Sequence, residues 1–113
     1  DIDVLSGDDN MLLPLLSVGG KGVISVLSNI LPADVRAVVT AYDKGDMQKA
    51  RSLFFRLLPM CRAMFYETNP GPVKTAMSMM GYCSAVLRLP LAPLSEENTR
   101  RLRQEMKNYG LLK

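Results

Sequence analysis

The feature that most constrains this chain is a pair of strand-like segments, Val4-Leu5-Ser6-Gly7-Asp8-Asp9 and Gly22-Val23-Ile24-Ser25-Val26, each set directly before a helical pattern. Strand–helix–strand–helix order with short connections belongs to a parallel sheet, because parallel neighbours need a crossover between them. Two strands cannot close such a sheet or cover both of its faces. A chain that opens with two β-α units and then turns wholly helical is therefore expected to be the tail of a larger β/α barrel. Asp1 in the place of a starting methionine fits the same expectation.

Local signals set the order of the elements. After Gly7-Asp8-Asp9, the apolar residues Met11, Leu12, Leu15 and Leu16 recur at helical spacing, and Asp8 or Asp9 is a natural N-cap. Gly19-Gly20 stops that helix. The continuous run from Gly22 to Val26 suits a strand buried on both faces, and Pro32 then stands as the first residue of a helix with an apolar stripe of Val35, Val38, Val39 and Tyr42, ending near Gly45. From Asp46, a candidate N-cap, Ala50, Leu53, Phe54, Leu57, Leu58, Cys61, Met64 and Phe65 describe one long amphipathic helix, with a kink expected at Pro59. Asn69-Pro70-Gly71-Pro72 forces a turn before a shorter helix carrying Val73, Ala76, Met77 and Met80. Leu89-Pro90-Leu91-Ala92-Pro93-Leu94 reads as extended, since each proline moves its predecessor out of helical space. Ser95, with Asn98 three positions on, caps a last helix that turns Leu102, Met106 and Tyr109 inward.

Several function classes fall away. Cys61 and Cys83 have no CxxC partner and the chain has no histidine, so a structural zinc site is not expected. The longest apolar run is far shorter than the roughly 20 residues of a membrane span, and no signal peptide opens the chain, so it reads as cytoplasmic. Residues 1–46 hold three Lys or Arg against seven Asp or Glu, whereas residues 47–113 hold eleven against four. That basic second half, densest at Arg100-Arg101-Leu102-Arg103, has no aromatic stacking platform, so solvated helix faces explain it better than nucleic acid does. Met77, Met79 and Met80 suit an adaptable binding surface, but Met77 and Met80 share one helical face and read as core filling. Gly19-Gly20-Lys21-Gly22 lacks the spacing of a phosphate loop and precedes its strand rather than following it.

The loops after the strands are the informative places. In a β/α barrel they build the mouth of the active site, which puts Gly7, Asp8, Asp9, Ser28 and Asn29 there and Lys21 at the opposite end. One Asp pair without a further carboxylate is a weak metal site, and a cap explains it more simply.

Four strings occur here in order: Leu5-Ser6-Gly7-Asp8-Asp9; Gly19-Gly20-Lys21-Gly22-Val23-Ile24-Ser25-Val26 with Asn29; Glu67-Thr68-Asn69-Pro70-Gly71-Pro72-Val73-Lys74; and Leu87-Arg88-Leu89-Pro90-Leu91-Ala92-Pro93-Leu94. Together they resemble the C-terminal part of the dihydrodipicolinate synthases, over essentially the whole chain. The first two strings are shared more loosely with aldolase relatives. The resemblance implies a C-terminal fragment of a (β/α)8 TIM barrel: strand seven, helix seven, strand eight and helix eight in residues 1–45, then a three-helix C-terminal extension in residues 46–113. It implies a lyase of lysine (diaminopimelate) biosynthesis that condenses pyruvate, held as a Schiff base on a lysine, with aspartate semialdehyde, and that needs no cofactor or metal. It also implies that Gly7 and Asp8 line the substrate entrance with Asp9 beside them, and that Ile24 lies at the inner end of strand eight with its backbone near the pyruvate adduct. These four residues are the expected substrate-binding set.

The family's Schiff-base lysine belongs to strand six, and its proton relay and carboxylate-binding arginine to still earlier strands. None of the six lysines here stands at the equivalent place, so the chain alone is expected to be inactive and to fold beside the remainder of its own barrel. The resemblance further implies a homo-oligomer, commonly a tetramer, for which the exposed side of the helix around Leu15 and Val18 is a candidate contact. Two alternatives stand beside this reading: a segment of a sister pyruvate aldolase, such as N-acetylneuraminate lyase or a keto-deoxy sugar-acid aldolase, and a non-enzymatic helical interaction module.

Overall fold

The computed structural model describes residues 2–113, which form two compact units, residues 2–61 and 62–113. In the first, strand β1 (Leu5–Ser6) pairs in parallel with strand β2 (Gly22–Val23), in the register Leu5 to Gly22 and Ser6 to Val23. Helix α1 (Leu12–Ser17) makes the crossover, preceded by a 3-10 turn over Asp9–Met11. A second 3-10 turn, Leu27–Asn29, leads into α2 (Pro32–Asp43).

Both strands are shorter than the sequence pattern suggests, and side chains explain why. The Ser6 hydroxyl donates to the Asp8 carbonyl (2.7 Å) and accepts the Asp8 N–H (3.1 Å), bending the chain at Gly7-Asp8. Beyond Ile24, the N–H groups of Val26 and Leu27 bond to a carboxylate rather than to a neighbouring strand (both 3.0 Å). Met11, expected on the apolar face of the first helix, falls in the 3-10 turn and is exposed.

The core of this unit gathers Leu12, Leu16, Leu27, Ile30, Leu31, Val35 and Val38, all buried. Each fully buried side chain of this size contributes about 1.5–3 kcal/mol through lost apolar hydration. Gly20 lets the crossover turn back: a Cβ there would lie 2.4 Å from Leu15 Cγ and 2.9 Å from the Leu15 carbonyl oxygen. The Tyr42 hydroxyl donates to the Leu16 carbonyl (2.7 Å), fastening α2 to the end of α1. Gly45 closes α2 with φ +75°, and Asp46 caps the next helix by accepting the Lys49 N–H (3.0 Å).

That helix, α3 (Met47–Ala63), continues through Pro59 and stops before Phe65, which is exposed. Ala50, Phe54, Leu57, Met60 and Cys61 are its buried stripe in the first unit. In the second unit, α4 (Gly71–Met79) packs on α5 (Glu96–Tyr109), burying Val73, Ala76, Leu102 and Met106. Met77 and Met80 are half-buried.

The segment between α4 and α5 differs from the extended stretch expected of it. A cis peptide bond precedes Pro90 in a tight turn closed by Leu91 N–H to Arg88 (3.0 Å); a similar turn ahead of α4, with a cis bond before Pro70, is closed by Gly71 N–H to Thr68 (2.9 Å). Three residues of the Glu67–Lys74 string secure the segment. The Lys74 ammonium donates to the Val86 carbonyl, Gly71 leaves room for Leu94, and one Glu67 oxygen accepts from the Ser95 N–H (2.9 Å), the Ser95 hydroxyl (3.0 Å) and the Asn98 amide (2.9 Å). Ser95 caps α5 through the Asn98 N–H (3.2 Å), and Gly110 ends that helix with φ +97°. The Arg101 guanidinium lies 4.2 Å from the centre of the Tyr66 ring.

Candidate functional site

Parallel pairing carries both strands to the same end of the sheet, so the loops after β1 and β2 lie side by side. Lys21 N–H to Val4 (2.8 Å) and Ile24 N–H to Ser6 (2.8 Å) bracket the pairing. Lys21 precedes β2 and therefore sits at the opposite end from the two loops, as its place in the sequence suggested.

The first loop is built by Ser6, Gly7 and Asp8. Asp8, in an extended conformation, caps the 3-10 turn by accepting the Asn10 N–H (2.8 Å) and the Asn10 amide (2.9 Å). Gly7 is exposed, and a Cβ there would meet nothing within 4 Å. The Gly7-Asp8 corner thus presents backbone and one exposed carboxylate to the space beyond the strand ends.

Asp9 behaves differently from its neighbour. It is 3% exposed, one of two buried polar residues among those described, the other being Ser6. Its Oδ1 accepts the Ser25 hydroxyl, and its Oδ2 accepts the Val26 and Leu27 N–H groups at 3.0 Å each. Ser25 Oγ in turn accepts the Ser28 N–H (2.8 Å), the Ser28 hydroxyl donates to the Ser25 carbonyl (3.2 Å), and the Asn29 amide donates to the Val26 carbonyl (2.9 Å). One buried carboxylate therefore ties the first loop to the second, and Ser25 and Ser28 shape the second from within.

Ile24 lies between the sheet and this clasp. Its N–H belongs to the sheet, the next side chain belongs to Asp9, and the residue itself is 72% exposed. Of the residues singled out by sequence, Gly7, Asp8 and Ile24 stand at the same end of the sheet with exposed atoms, while Asp9 is turned inward. Of the two candidate caps, Asp8 takes the local one and Asp9 caps a loop sixteen positions away. Sequence reasoning passed over Ser6 and Ser25. Ser6 could have been found as a hydroxyl two residues before an aspartate, the spacing of a local serine turn.

These atoms can orient a polar ligand and fix backbone dipoles. No group of three His, Cys, Asp or Glu suited to a metal occurs among the described residues, and no lysine stands in the two loops. No helix among the described residues is long and apolar enough to cross a membrane.

Comparison with known proteins bears on this geometry. The model of the dihydrodipicolinate synthetase family matches residues 1–109. The 4-hydroxy-tetrahydrodipicolinate synthase of Endomicrobium trichonymphae is 51% identical over 113 residues, covering 100% of this chain and 39% of that protein. Among solved structures, the dihydrodipicolinate synthase of Thermotoga maritima superposes with a TM-score of 0.96 at 44% identity, over 99% of this chain and 38% of that one. A monomeric dihydrodipicolinate synthase variant gives 0.95 at 43% identity, over 98% and 37%. The chain thus spans about two fifths of the length of the relatives it matches.

Proposed function

This chain belongs to the dihydrodipicolinate synthetase family, and from that premise we propose that it is the C-terminal part of a 4-hydroxy-tetrahydrodipicolinate synthase, a lyase of lysine (diaminopimelate) biosynthesis. The observation that carries the reading is the match of sequence and fold along nearly the whole chain at once. In this reading residues 1–45 are strand seven, helix seven, strand eight and helix eight of a TIM barrel, and residues 46–113 are its helical extension.

The complete enzyme condenses pyruvate with aspartate semialdehyde. A lysine amine adds to the pyruvate ketone and water leaves, giving an imine; loss of a methyl proton gives an enamine, whose carbon attacks the aldehyde. That lysine lies outside these residues. The part played here is to wall the mouth: Gly7 and Asp8 at the substrate entrance with Asp9 beside them, and Ile24 with its backbone near the pyruvate adduct. The exposed apolar residues Val4, Leu5 and Ile24 and the open strand edges support a role for the remaining strands as cover. The chain on its own is inactive in this reading, and the complete enzyme works in the cytoplasm.

Steady-state condensation by the complete enzyme tests the proposal. Turnover of pyruvate with aspartate semialdehyde, in preference to N-acetylmannosamine or a sugar-acid aldehyde, is the expected result; preference for the sugar substrates would move the chain to a sister aldolase. The same family suggests assembly into a homo-oligomer. Val18 at the end of α1 is 80% exposed and supports a contact there. Val18→Asp is expected to reduce the assembled species in analytical ultracentrifugation, and unchanged assembly would remove that face from the interface.

A further inference from the structure

The Asp9 carboxylate is engaged inside the protein through both of its oxygens. Oδ1 holds a hydroxyl, Oδ2 holds two backbone N–H groups, and only 3% of the residue reaches the surface. A substrate bound to it would have to displace the Ser25 hydroxyl and the Val26 and Leu27 N–H groups, each of which would then need another partner. Asp9 is poorly suited to be a ligand and well suited to be a clasp.

What the clasp holds is specific. Strand β2 ends at Val23, and the last bond that continues its pairing is the Ile24 N–H to Ser6. From Ser25 onward the sheet gives no support, and the Asp9 carboxylate takes over at Ser25, Val26 and Leu27 in succession. The Ile24–Ser25 peptide is thus fixed from both sides, by the sheet before it and by Asp9 after it. Ser6 adds to the arrangement, because it bends the first loop at Asp8 and its carbonyl receives Ile24.

We propose that Asp9 is a positioning residue, whose buried carboxylate acts through Ser25, Val26 and Leu27 to hold the Ile24–Ser25 peptide against the reacting centre of the complete enzyme. The proposal rests on the functional reading above, in which the Ile24 backbone lies near the pyruvate adduct. It assigns the two adjacent aspartates different tasks: Asp8 faces the substrate entrance, and Asp9 sets the geometry behind it.

The test uses the complete enzyme with Asp9→Asn, Ser25→Ala and the two combined. The asparagine keeps the size of the side chain but turns an NH2 group toward N–H or O–H donors, which breaks one side of the clasp. A shift of a peptide next to the chemistry lowers kcat roughly 10- to 100-fold. The KM for aspartate semialdehyde is expected to stay within about twofold, since no substrate contact is lost. Ser25→Ala lowers kcat less, and the double variant is no slower than Asp9→Asn, because both changes open one clasp.

A rise in KM with kcat unchanged would make Asp9 a substrate ligand and overturn the proposal, as would unaltered kinetics. Should Asp9→Asn fail to fold, Ser25→Ala decides, and an unchanged kcat for it overturns the proposal. Trapping of the wild-type enzyme with pyruvate and borohydride separates the two levels. Absence of a pyruvyl adduct overturns the functional reading and this inference together, whereas a normal adduct with normal Asp9→Asn kinetics overturns the positioning role alone.

Discussion

Asp9 and Glu67 each hold a loop of this chain, and they do so in opposite surroundings. Asp9, in the first unit, is buried and fastens the loop after β2 through a hydroxyl and two backbone N–H groups. Glu67, in the second unit, is partly open to solvent and fastens the start of α5 through one N–H, one hydroxyl and one amide. The donor count is the same, yet the consequences differ. A buried acceptor has no water to replace what it holds, so its loss leaves stranded donors; an exposed one is replaced by solvent at little cost. The units around them do not divide in this way: the first buries Leu12, Leu16 and Leu27 but leaves Val4, Leu5 and Ile24 exposed, and the second buries Leu102 and Met106 but leaves Val86 and Leu89 exposed.

The comparison can be broken by mutation, beginning with the second unit's core. Leu102→Ala is expected to cost about 2–5 kcal/mol, read from the urea midpoint, because a fully buried side chain leaves a cavity. A loss below about 1 kcal/mol would show that this core does not support the unit. A smaller effect is expected at the crossover of the first unit, where Gly20→Ala forces a Cβ against Leu15 Cγ and its carbonyl and costs about 1–3 kcal/mol. Gly71→Ala makes the contrast: its Cβ would stand 3.0 Å from the flexible end of Leu94, and its cost should be the lesser of the two. Equal losses would erase the distinction between a glycine walled by a branched Cγ and a carbonyl and one that faces only a flexible side-chain end.

Loss of the α5 cap should be milder again. Ser95→Ala removes the acceptor for the Asn98 N–H and the hydroxyl donor to Glu67, with an expected loss of ~1 kcal/mol. The smallest effect is the pH dependence of Glu67. Its carboxyl lies below the ordinary glutamate value, chiefly through the Asn98 amide and then through the Ser95 N–H and hydroxyl. Depression in the folded state means that the contribution is present above the unfolded value and fades as pH falls through the folded one. Glu67→Gln should therefore show a slightly flatter stability profile than wild type on the acid side of the ordinary glutamate range. An identical profile would mean that the Ser95 and Asn98 bonds do not favour the ionised carboxylate.

Much of this organisation was legible in the residues. Pro32 opens α2, Asp46 caps α3, Ser95 caps α5, and the alternation of two short strands with helices placed both loops at one end of a parallel sheet. Local chemistry suffices for these, because caps and periodicity act within a few residues. What escaped was set by distant partners or by choices among near-equal local options. The Asp9 clasp joins positions sixteen apart or more, and no spacing rule distinguishes Asp9 from Asp8 as the local cap. The strands ended early because Ser6 and Asp9 withdrew backbone groups from the ladder. The turn at Arg88–Leu91 lies within a segment that its prolines made look extended.

The most direct measurement of the central claim is peptide mapping of the complete enzyme after incubation with pyruvate and borohydride. The account predicts a reduced pyruvyl adduct on a single lysine outside these 113 residues, with Lys21, Lys44, Lys49, Lys74, Lys107 and Lys113 all unmodified. An adduct on any of those six, or no adduct on an enzyme that still turns over, would contradict it.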